Sequence, residues 1–127
     1  MCSNTTMWLF TRYGFFSIAC ASSPDGALDS DTLMIRSRRK AHLEKLQARF
    51  PQLANIEVSA TRHTDYRYRM IVAKSDWVAV VAELAGEQTW SNFKSEVARF
   101  GGCDDYERAL HRVWEVMHTV QLSEEGS

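Results

Sequence analysis

The sequence predicts an α+β domain, with a four-stranded antiparallel sheet covered on one face by helices. Three observations carry this. Met7 to Ala21 is the most apolar and aromatic run in the chain, and Phe15, Phe16, Ile18 and Cys20 make it apolar on both faces, as a central strand is. Tyr66 to Ala73 alternates: Tyr66, Tyr68, Met70 and Val72 fall on one face, and Asp65, Arg67, Arg69 and Ile71 on the other. Tyr106, Leu110, Val113, Met117 and Val120 recur at spacings of four, three, four and three, one stripe of an amphipathic helix.

A chain of 127 residues, 45% hydrophobic and 24% charged, is sized for one domain around one core. No apolar run reaches the roughly 18 residues of a membrane span. The run at Met7 contains Arg12 and Gly14 and has no basic region before it, so it makes a poor signal peptide. The expected location is cytoplasmic. Cys2, Cys20 and Cys103 are odd in number and include no CxxC pair, which argues against a disulfide framework and against a zinc site.

Residues 1–6 read as a disordered leader, 7–121 as a single α+β domain and 122–127 as a disordered tail. The first strand runs to about Ala21, with a bulge or bend at Gly14. Ser22 to Gly26 is a turn by composition, and Thr32 to Arg36 is a second strand. Ser37 is a candidate N-cap for a helix with Leu43, Leu46 and Phe50 on one side, ended by Pro51. Ile56 to Ala60 and Tyr66 to Ala73 are the third and fourth strands, joined by a turn at Thr61 to Thr64. Ser75 opens a helix that buries Trp77, Val80, Val81 and Leu84 and stops at Gly86. Another helix spans about Ser91 to Phe100. After Gly101-Gly102, Asp104 and Glu107 match a capping box for the last helix. The order ββαββα, then two further helices, is that of a permuted ferredoxin-like plait. Tyr106, Leu110, Val113 and Met117 are expected to face the core, with Trp114 at its margin.

Some of these residues also form a recurring pattern. Met7 to Ser17 reads Met-Trp-Leu-Phe-Thr-x-Tyr-Gly-Phe-Phe-Ser. Arg36 and Arg38, Phe50-Pro51, Thr64 to Arg69, Asn92-Phe93-Lys94, Val97, Tyr106, His111 and Trp114 follow. In this the chain resembles a family of short bacterial or phage-borne proteins of unassigned activity. The resemblance spans Met7 to about Gln121. It implies a single domain and candidate positions, and no chemistry.

Charge is unevenly spread. Residues 1–74 carry 11 Lys or Arg against 6 Asp or Glu, a net +5, and residues 75–127 carry 4 against 10, a net −6. The basic half contains Arg36, Arg38, Arg39 and Lys40, with Arg12, Arg67 and Arg69 close if their strands are neighbours. Arginine forks grip phosphate and stack on bases, and Tyr13, Tyr66 and Tyr68 could supply stacking faces. Residues 12–18, Arg-Tyr-Gly-Phe-Phe-Ser-Ile, loosely echo an RNA-recognition signature, though the second Gly/Ala position is missing. The same arginines could equally be a solvated sheet edge. His63-Thr64-Asp65 has the residue types for acid–base work on a phosphodiester, but reads as a hairpin turn. Glu107, His111, Glu115 and His118 lack a metal-binding spacing such as His-Glu-x-x-His and read as a helix flank. Asn92 and Lys94 stand at a helix start, where backbone amides favour anions, or serve as capping.

The leading expectation is a small non-enzymatic binding domain for an anionic partner, nucleic acid or another phosphate-bearing ligand, through Arg12, Tyr13, Arg36, Arg38, Arg39, Tyr66, Arg67, Arg69, Asn92 and Lys94. The alternatives are a protein-interaction module (an adaptor, regulator or phage-type inhibitor) and a phosphodiester-acting enzyme. The motifs call for no cofactor, no metal and no membrane.

Overall fold

The computed structural model describes residues 6–22, 28–62, 65–89, 91, 93, 96–97 and 105–125. The chain divides into two compact units, Met1–Gln88 and Thr89–Ser127.

In the first unit the elements are β1 (Thr6–Thr11), β2 (Gly14–Ser22), β3 (Leu28–Ser37), α1 (Lys40–Arg49), a 3-10 turn at Pro51–Leu53, β4 (Ser59–Ala60), β5 (Tyr68–Ala73) and α2 (Lys74–Gly86). The sheet has five strands, in the order β1-β2-β3-β5-β4, with every neighbouring pair antiparallel.

The expected four strands are therefore five, because Met7 to Ala21 is a hairpin and not one strand. Arg12 and Tyr13 form its two-residue turn, closed by the pair Thr11 and Gly14. The Thr11 hydroxyl accepts the N–H groups of Tyr13 (3.0 Å) and Gly14 (3.1 Å) and donates to the Gly14 carbonyl (2.9 Å), so one side chain satisfies the turn backbone. Gly14 has φ +149°, and a Cβ there would lie 2.2 Å from His42 Cγ, so the position needs glycine twice over. His42, buried on α1, accepts the Phe15 N–H on Nδ1 (3.4 Å) and ties the helix to the turn.

Register then sorts the side chains. Ile18 lies opposite Ile35, Ile35 opposite Met70, and Leu33 opposite Val72. These residues and Phe16 form the face that α1 and α2 cover with Leu43, Leu46, Trp77 and Val80. Phe50 and Leu53 close the end of that core, at 0% exposure.

Helix starts differ from expectation. Ser37 is buried at the end of β3, and its hydroxyl donates to the Phe15 carbonyl (3.3 Å) and accepts the Arg39 N–H (3.2 Å). It serves the strand-to-helix link, and Arg39 occupies the N-cap with no side-chain cap bond. Likewise α2 begins at Lys74, capped by Ala73, so Ser75 is already helical.

In the second unit Phe93, Glu96 and Val97 are helical, and α3 (Asp105–Glu125) is a 21-residue helix. Leu110 on its predicted stripe is buried, but Met117 and Val120 are each 60% exposed. The expectation that the whole stripe faces the core is thus corrected: the helix is about 30 Å long, and its apolar spacing continues past the part that is buried. Trp114 is 52% exposed and stacks on His118 with ring centroids 4.8 Å apart. Among the described residues no helix is long and apolar enough to cross a membrane.

Candidate functional site

The face of the sheet opposite α1 and α2 is organised as rows. One row crosses all five strands: Trp8 lies opposite Ser17, Ser17 opposite Arg36, Arg36 opposite Arg69, and Arg69 opposite Ser59. Next to it Phe10 lies opposite Phe15, and on the other side Thr6, Ala19, Met34 and Ile71 form a largely apolar row. Trp8 is 63% and Ile71 48% exposed.

Two arginines directly opposite each other are unfavourable in a sheet unless something holds them. Arg36 donates from Nη2 to the Ser17 hydroxyl (2.8 Å), and its guanidinium carbon sits 4.8 Å from the Tyr66 ring centroid. Its Nε is buried with no hydrogen-bond partner. Arg69 donates to the Tyr66 carbonyl (3.3 Å) and reaches the Met34 sulfur (3.6 Å). Arg38 lies over Tyr66 at 4.4 Å and over Phe15 at 5.8 Å, and pairs with the exposed Asp65 at 3.1 Å. An exposed pair of this kind contributes at most about 1 kcal/mol and is screened by salt. Phe15 stacks on Phe10 (4.5 Å, 21° between planes), meets Trp8 edge-on (5.7 Å) and approaches Tyr66 (6.3 Å). The result is a surface of aromatic rings and guanidinium planes in which Trp8 and Arg38 are exposed, while Tyr66 and Ser17 are buried within it.

Tyr66 reaches this surface because the strand starts later than its pattern suggests. β5 begins at Tyr68, and bends at Asp65 and Tyr66 break the alternation. Tyr66 therefore lies with Phe15 and Arg36, not on the side of Tyr68, Met70 and Val72.

A second arginine–tyrosine cluster lies at the β1–β2 turn. Glu87, at the end of α2, accepts the Tyr13 hydroxyl (2.8 Å) and Arg12 Nη2 (3.1 Å) on Oε1, and Arg49 Nε (3.1 Å) and Nη2 (3.0 Å) on Oε2. Arg12 and Glu87 side chains are only 21% and 13% exposed. Tyr13 is a core residue at 4% exposure, packed edge-on against Phe50. Burial pushes its phenol pKa up, and the hydrogen bond to Glu87 adds to the rise.

Of the expected binding residues, Arg36, Arg38, Tyr66 and Arg69 come together. Arg12 and Tyr13 belong to the Glu87 cluster, where Tyr13 has no ring face left for stacking. Arg39 is exposed ahead of α1. Arg67 is exposed and lies over Tyr68 (5.8 Å). Asn92 and Lys94 lie outside the described residues, as do His63, Thr64, Cys2 and Cys103; Cys20 is half-buried in β2. Trp8, Phe10, Phe15 and Ser17 complete the surface and were missed as site residues. Once Gly14 is read as the end of a turn, strand alternation alone puts them on one face. Among the described residues no three of His, Cys, Asp and Glu come together as a metal site.

Comparison of the chain with protein-family models, with curated proteins and with solved structures returns no match.

Proposed function

We propose that the chain is a non-enzymatic domain that binds single-stranded nucleic acid on the sheet face opposite α1 and α2. The observation that carries this is the cross-strand row Trp8, Ser17, Arg36, Arg69 beside Phe10, Phe15, Tyr66 and Arg38. In this reading Arg36 and Arg69 meet backbone phosphate, which offsets the repulsion between them, and Trp8 offers a ring for a base. Phe15 and Tyr66 hold the guanidinium groups flat. A single strand suits such a surface because its bases are free to stack, whereas a duplex offers mainly phosphates. The order β2-β3-β5-β4, with α1 as the crossover from β3 to β4 and α2 following β5, supports reading the unit as a permuted ferredoxin-like plait, β1 being an added edge strand.

The test is fluorescence anisotropy of a labelled single-stranded oligonucleotide. Binding should weaken steeply with salt as counterions are released. Trp8→Ala should cost about tenfold in affinity, since a stacked base contributes about 1–3 kcal/mol. Absence of binding at about 50 mM salt, where the electrostatic attraction is strong, would overturn the proposal.

A second reading, a protein-interaction module, draws support from α3, where Trp114, Val116, Met117, Val120 and Leu122 are exposed. Loss of oligonucleotide binding together with capture of one defined protein, abolished by Met117→Lys, would favour it.

A further inference from the structure

The two edges of the sheet are built differently. On one side lies β4, only two residues long (Ser59–Ala60), as protected edges are. On the other lies β1, six residues (Thr6–Thr11) with no charge, no proline and no glycine, and with Met7 and Trp8 46% and 63% exposed. Its pairing with β2 is regular over all six positions, so no bulge twists the edge away. β2 is uncharged as well. In an antiparallel strand alternate residues point both backbone groups to one side, so half of β1 directs N–H and C=O groups away from β2. Natural edges of this length carry a lysine, a proline or a bulge to prevent pairing with another strand, and β1 has none.

We propose that β1 pairs antiparallel with β1 of a second copy of this chain. The occupant follows from the chemistry of the edge. A charged partner finds no complement on β1 or β2, whereas a second β1 is uncharged, extended and of equal length, so two copies meet with no like-charge repulsion. The pairing is isologous and closes at two copies about a two-fold axis perpendicular to the sheet. That axis keeps equivalent faces on the same side, so two five-stranded sheets become one, and both Trp8 side chains lie at the seam. The interface is of the small class, below about 1,200 Å² in total, which corresponds to a weak, concentration-dependent dimer.

The experiment is sedimentation velocity on the full chain from about 1 μM to about 1 mM, with circular dichroism to confirm folding. The parent should move from monomer to dimer across this range. Met7→Lys and Met7→Glu, at an exposed position, should each remain monomeric with an unchanged spectrum, and their equal mixture should recover the dimer. A parent that stays monomeric throughout, or a dimer that persists in both single variants, would overturn the proposal. Neither outcome bears on oligonucleotide binding, which a single copy's face supports.

Discussion

The molecule contains two arginine–tyrosine clusters that look alike in sequence and differ in one respect. At the β1–β2 turn, Arg12, Arg49 and Tyr13 converge on the Glu87 carboxylate, which meets their donors from inside the fold. On the opposite sheet face, Arg36, Arg38 and Arg69 are held by aromatic rings, a serine hydroxyl, a carbonyl and a thioether. Arg38 also pairs with the exposed Asp65. A carboxylate neutralises guanidinium charge, whereas a ring or hydroxyl orients it and leaves it available. The first cluster is a fastening between turn and helices, and the second is the one we propose as a surface for an anion.

The largest effect that would sharpen this contrast is on stability. Glu87→Ala removes the carboxylate that Arg12, Arg49 and the Tyr13 hydroxyl share. It should destabilise the fold by about 2–3 kcal/mol, below the fully buried case because part of the cluster meets solvent. Urea denaturation measures this, and oligonucleotide affinity of the folded fraction should be unchanged. Arg36→Ala should do the reverse. It removes a cross-strand repulsion along with the hydrogen bond to Ser17 and the contact with the Tyr66 ring, which partly offset one another, so the loss of stability should stay below about 1 kcal/mol, while affinity should fall by about tenfold. If Arg36→Ala unfolds the chain and leaves binding intact, the two clusters have been assigned the wrong way round.

A smaller effect concerns pH. The Tyr13 pKa is raised in the folded state, first by burial and then by Glu87. The folded form therefore holds its proton where the unfolded form begins to lose it. This contribution is fully present below the unfolded value, about 10 for tyrosine, and is lost as pH rises through the higher folded value. Thermal midpoints should be level between neutral pH and about 9 and fall above 10, and Tyr13→Phe should flatten that fall.

The sequence displayed the alternation of Tyr68 to Val72 and the packed sides of α1 and α2, because each is a local periodicity. It did not display the hairpin at Arg12-Tyr13, because a run apolar on both faces looks the same whether it stays straight or doubles back. Gly14 was the one sign, read as a bend. Nor did it show that Tyr13 is a core residue: its partner Glu87 lies 74 positions away, and no local pattern encodes that contact. Arg36 and Arg69 could be placed together only through the β3–β5 register, which the third dimension sets. Tyr66 was assigned to the wrong side because the bends at Asp65 and Tyr66 interrupt the period.

The most direct test of the central claim is to titrate the labelled protein with a short single-stranded oligonucleotide and map which backbone amide resonances move. The account predicts shifts concentrated at Trp8, Phe10, Phe15, Ser17, Arg36 and Arg69, with Arg12, Tyr13, Arg49 and Glu87 unmoved. Shifts centred on the Glu87 cluster, or none at saturating oligonucleotide, would contradict it.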